Sequence, residues 1–151
     1  MSLTTIRTKI KEYIETATGL NNTVYDYKRL ATHLSQKIDT FKENGIIHTW
    51  DVTRAGFKRE HQAGHGGVVI ITHEFLLRGF YGLNDTLASE KTFNDTIDSV
   101  CEQFEDNPTL AGEAQIVEPL ISGLVTEEFF VGVLCHKIQI TLFVQQRRVF
   151  N

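Results

Sequence analysis

The chain has 151 residues, a length that fits one domain able to bury roughly two thirds of its unfolded surface around a single core. Hydrophobic residues at 41% and charged residues at 23% are ordinary globular values, and Phe 10 with Trp 1 supply bulky packing material, which argues against a disordered chain. Lys+Arg 15 against Asp+Glu 19 gives a formal charge of −4, which disfavours a protein built to neutralise phosphates over an extended basic face but leaves room for a small basic patch.

In chain order, Ile6, Ile10, Tyr13 or Ile14, and Ala17 recur at three- and four-residue steps, with Ser2 or Thr4 as cap and Gly19 as stop, predicting an amphipathic first helix. Asn21-Asn22 breaks that period, and Thr23-Val24-Tyr25-Asp26-Tyr27 has the content of a short strand. Leu30, Leu34, Ile38 and Phe41 keep helical spacing among poor helix formers, and the segment is read as a helix. Ile46 to Val52 alternates as a strand. From Arg54 to Gly67 no period survives: Gly56, Gly64, Gly66 and Gly67 sit among Lys58, Arg59, Glu60, His61 and His65, predicting a long mobile loop at about 54–67 of the kind that binds something or orders on assembly.

Val68 to Leu83 resumes as a long strand, bent or bulged at Gly79, with Phe75, Leu77 and Tyr81 on one face and Leu76 and Phe80 on the other. Apolar residues on both faces call for two covers, the second being a helix or a neighbouring subunit. Ser89 to Glu105 is the clearest helix, with Phe93, Ile97, Val100, Cys101 and Phe104 in one stripe, Thr92 with Asp95 resembling a capping box and Asn107-Pro108 as its end. Ala114 to Ile121, interrupted by Pro119, and Phe129 to Val144 read as a terminal antiparallel pair with one solvated face. The whole predicts a single α+β domain over 1–151, a mostly antiparallel sheet with helices packed on it.

The succession of an Ile6-Arg7-x-x-Ile10 helix, the Val24-Tyr25-Asp26-Tyr27 strand, Trp50, His73-x-Phe75-x-x-x-Gly79-Phe80-Tyr81, and a Phe93-to-Phe104 helix followed by Asn107-Pro108-x-Leu110 resembles the tail-terminator and tail-completion proteins of long-tailed bacteriophages and prophages. The resemblance covers most of the chain in order and rests on succession rather than on any diagnostic residue. It implies a non-enzymatic structural virion protein that assembles as a homo-oligomer, usually a hexameric ring, at the end of the tail tube. Such a ring stops tube growth and presents a surface for head-tail joining. The implied partners are other copies of the chain, the tail-tube protein and the head-tail connector protein, with DNA only as passing cargo and no cofactor. Another neck or connector component is the nearest alternative. The implied location is the host cytoplasm during assembly and then the virion tail, in line with a polar N-terminus and apolar runs too short to cross a membrane.

Two other chemistries compete for the polar residues. His61, His65 and His73 give a His-x3-His pair with a third His nearby, the makings of a small zinc-dependent enzyme. The Gly-rich setting, however, lacks the helical face that aligns such a pair, and no metal site is assigned. Lys58-Arg59 and Arg147-Arg148, with Phe57 and Phe150 close by for stacking, suggest nucleic-acid contact; within the phage reading the same residues dock an acidic protein surface. Arg54, Phe57, Lys58, Arg59, His61, His65, Arg147, Arg148 and Phe150 are therefore the candidate interface residues. Deleting Phe57 to Gly66 is expected to leave the fold intact and abolish assembly. Cys101 and Cys135 share no ligand spacing and read as reduced thiols, Cys101 within the apolar stripe. His73 and His136 are the candidates for core histidines, and no catalytic residue is assigned.

Overall fold

The computed structural model describes residues 2–27, 41–43, 45–62, 67–110, 112, 114–117 and 122–149. Helix α1, Leu3–Thr18, starts where the Ser2 hydroxyl accepts the Thr5 N–H at 3.1 Å, and it ends at Gly19, whose φ of 74° lets its N–H reach the Glu15 carbonyl. The three- and four-residue spacing buries Ile6, Ile10 and Ile14. Strand β1, Val24–Tyr25, is shorter than expected, and strand β2 is Lys42–Glu43. The helix expected over Leu30–Phe41 falls, but for Phe41, outside the described residues.

Strand β3, Ile46–His61, pairs with β4, Val68–Gly82, and β4 pairs with β7, Val133–Val149. β1 lies parallel against β3; every other pairing is antiparallel. The sheet order is β1-β3-β4-β7-β5, with β2 on β3 and β6 on β7. β5, Ala114–Ile116, and β6, Ser122–Phe130, meet successive stretches of β7. Together they form one interrupted edge, with Pro119 in the interval outside the described residues. Helix α2, Ser89–Asp106, contacts β4 and β7 while α1 contacts β1 and β3. The fold is thus the expected α+β domain. Its core lies between the helices and one face of the sheet, around Trp50, Phe75, Leu77, Phe93 and Phe104.

Several expectations need correction. The loop expected over 54–67 is mostly strand: β3 continues to His61, which sits opposite Val69. Its backbone bonds to β4 hold it without a repeating apolar side chain. The bulge lies in β3, not at Gly79, for the register slips between Arg54 and Gly56 and leaves Ala55 without an opposite residue. Gly79 serves close packing instead, since a Cβ there would stand 2.7 Å from the Trp50 ring and 2.9 Å from Ile138 Cγ2. The capping box is absent: α2 starts at Ser89 after Ala88 in the left-handed region at φ 52°, with no side-chain cap. It does end at Asn107, ahead of Pro108. Phe129–Val144 is not one strand, because Val131 and Gly132, at φ 46° and 81°, turn the chain between β6 and β7 in the manner of a two-residue type I′ hairpin.

β4 is covered twice at its lower end. Phe80 stacks on Phe130 at 4.0 Å between ring centroids and packs with Phe41, Ile47 and Cys135 on the face away from the helices. On the same face Arg78 lies opposite Asp51 and holds it in a two-pronged ion pair, with Nε to Oδ1 at 2.9 Å.

Candidate interaction surface

From Arg54 onward the sheet is made of β3, β4, β7 and β5, and most of the candidate residues sit there. In a sheet, directly opposite residues share a face and successive residues alternate. The register therefore gives rows on the helix side: Arg54 with Phe75 and Leu142, Phe57 with His73 and Val144, Arg59 with Ile71 and Gln146, His61 with Val69 and Arg148. The bulge creates this arrangement. Unbroken alternation would put Gly56, Lys58 and Glu60 beside Arg54; the extra residue, Ala55, puts Phe57, Arg59 and His61 there instead. Lys58 and Arg147 fall on the opposite face, opposite Thr72 and Ile70, and Lys58 pairs with Glu60 at 2.7 Å. The nine candidates are thus sorted onto two faces, except His65 and Phe150, which lie outside the described residues.

Arginines gather on the helix-side face. The Arg54 guanidinium lies 4.1 Å over the Phe57 ring, which is 59% exposed. Its buried Nε has no hydrogen-bond partner. Burial, followed by the nearby charges of Arg7 and Arg59, lowers the pKa of Arg54. Arg7 gives one N–H to the Asp26 carbonyl, and none of Arg7, Arg54 or Arg59 meets a carboxylate among the described residues. Three arginines thus crowd one corner with no counter-charge among the described residues.

His73 is only 3% exposed. Its Nε2 meets Gln146 Oε1 at 3.1 Å, and its buried Nδ1 has no partner. Burial lowers its pKa, the Gln146 contact opposes the shift, and Arg54 and Arg59 add to it. It is a neutral core histidine. His61, opposite Val69, stands about 13 Å along the ladder from the row of His73, which separates two of the three residues proposed for zinc. The third, His65, lies outside the described residues.

His136, also 3% exposed, is the second core histidine. Its Nε2 lies 2.8 Å from Ser89 Oγ, and Glu127 Oε1 lies 3.7 Å from its Nδ1. Serine, histidine and glutamate are the members of an acyl-transfer triad, here on the first turn of α2, on β7 and on β6. The geometry is that of a tie, however. Ser89 is itself 3% exposed, its Oγ already accepts the Asn84 N–H at 2.7 Å, and the Glu127 contact is longer than a hydrogen bond. Ser89 anchors the start of α2 to β7. The thiols are likewise unactivated: burial pushes Cys135 up to about 11, and burial with Glu105, Asp98 and Glu102 pushes Cys101 up to about 11.

A second charged surface runs along α2. Asp95, Asp98, Glu102 and Glu105 follow one another at three- and four-residue steps along α2, all exposed. They share one stripe, and the last three are close enough together to raise the Cys101 thiol.

No protein-family model matches this chain, and no curated protein matches it either. Among the described residues no helix is long and apolar enough to cross a membrane.

Proposed function

We propose that this protein is a structural virion assembly protein. It forms a ring at the end of a phage tail tube, stops tube growth and presents a surface for joining the head. The observation that carries the reading is that one small sheet has two different open flanks. From Val52 to His61 the outer side of β3 has no second strand among the described residues. On the other flank β6 pairs only with β7 and exposes Leu124 at 71% and Phe129 at 76%. Different patches at opposite ends of one sheet suit heterologous contacts, which close into rings when the rotation per subunit divides the circle. The sequence resemblance supplies the tube and the head connector as further partners, and the exposed end of β3, from Phe57 to His61, supplies a surface for them. The exposed apolar side chains of β6 suit burial against protein rather than solvent.

The test is to add the protein to polymerising tail-tube protein and measure tube lengths and tube ends by electron microscopy. Rings at tube ends and an arrest of growth are expected. Tubes of unchanged length with bare ends would sink the reading. Capture by immobilised connector protein in the absence of tube capping would favour a different neck component.

A further inference from the structure

Two groups of like charge outside any ion pair stand out among the described residues, and they lie over different strands. Arg7, Arg54 and Arg59 gather over β3, where α1 covers the sheet, while the Asp95–Asp98–Glu102–Glu105 stripe rides on α2, over β4 and β7. Each patch is unfavourable in the isolated chain. Arg7 and Arg59 lower the proton affinity of Arg54, which also buries a donor with no acceptor, a costly state for a charged group. In the stripe, Asp98 and Glu102 are like charges four residues apart. Glu105 and Asp106 stand in the last turn of α2 with no basic residue beside them, where the helix dipole favours cations. The two patches ride on different helices, and among the described residues no ion pair joins them.

We propose that the arginine corner of one copy receives the acidic stripe of α2 from a second copy, so that the ring is joined by a head-to-tail contact between unlike patches. This rests on the ring reading above and names the surfaces that would make it. Arginine forks match carboxylates bidentately, and the exposed Phe57 ring beneath Arg54 holds one fork in place. The chain supplies both halves of the contact. A heterologous interface requires this, and it propagates from copy to copy until the ring closes.

The experiment is sedimentation velocity on the whole chain, comparing wild type with the double variants R54E/R59E and D98K/E102K over a wide concentration range. The wild type is expected to associate, more strongly at low salt. Each variant alone should lose association by at least about tenfold in apparent dissociation constant. Mixing the two variants should restore it, because their altered patches are again opposite in sign. Restoration in the mixture separates a lost contact from a damaged fold, which mixing cannot repair. Wild-type oligomers matched by both variants would overturn this contact and leave the ring intact. A wild type that stays monomeric at every concentration would overturn the contact, with tube capping then deciding the ring separately. If a single-stranded oligonucleotide binds the wild type but not R54E/R59E, and association is unchanged between them, the corner belongs to phosphates and the proposal falls.

Discussion

At the scale of single residues, Gly79 and His48 carry the sharpest consequences. Any side chain at Gly79 must displace the Trp50 ring or Ile138, both buried and held by neighbours on every side. Gly79→Ala should therefore destabilise the fold by about 1–3 kcal/mol in urea unfolding followed by Trp50 fluorescence. The glycine was legible in the sequence but its reason was not: a glycine in a strand signals either a bulge or a close approach, and only the register distinguishes them. His48 Nε2 accepts the Trp50 indole N–H at 3.2 Å, and burial holds its pKa down at about 4, from 6.5. Because the unfolded chain binds this proton more readily, stability contributed by neutral His48 is present above about pH 6.5 and is lost as the pH falls toward 4. Lowering the pH from 7 to 4.5 should remove on the order of 2 kcal/mol more stability from the wild type than from His48→Gln. Equal losses in the two proteins would show that His48 does not govern this window.

At the scale of elements, the ribbon of β3 and β4 overturns the expectation that residues 57–66 can be removed at no expense to the fold. Residues 57–61 occupy five consecutive rungs from Phe57↔His73 to His61↔Val69. Deleting Phe57–Gly66 should therefore strip β4 of its outer partner and lower the thermal transition, alongside any loss of assembly. The subtler change is deletion of Ala55 alone. It removes the bulge but leaves Gly56 opposite Glu74 and Arg59 opposite Ile71, on the face of Arg54, so head-to-tail association should persist and the far-ultraviolet circular dichroism should stay that of the wild type. The sequence hid this strand for a physical reason. Helix α1 announces itself because one side is buried and the other solvated, whereas the end of β3 has little core to face and changes its parity at the bulge. Backbone hydrogen bonds, which leave no mark on residue choice, hold it in place. The Val131-Gly132 turn was hidden for the opposite reason. Val131 is a buried apolar residue, 7% exposed, set in a run of apolar neighbours, and burial holds it in a backbone conformation that β-branched residues seldom take.

At the scale of the whole molecule, the two described α-helices share one face of a single sheet, and α1 touches α2. Heating should accordingly unfold the chain in one transition. If rings form, its midpoint in differential scanning calorimetry should rise with protein concentration, because association draws on the folded state alone. A midpoint independent of concentration would argue that folding and association are uncoupled. The α+β class and the order of most elements could be read from the sequence, since both follow from local periodicity. The pairing of patches across flanks could not, since it depends on which strands are neighbours. The ladder between β4 and β7 has a further consequence. Gly82 meets Cys135 and Val68 meets Val149, so each of its rungs closes a loop containing all of α2, β5 and β6. The β3–β4 hairpin can form early from nearby residues, but the centre of the sheet waits for the most distant partner. Such non-local closure places folding in the millisecond-to-second range. During that interval the inner side of β4 stands unpaired, and a nascent chain is then most open to capture by the β7 of another copy.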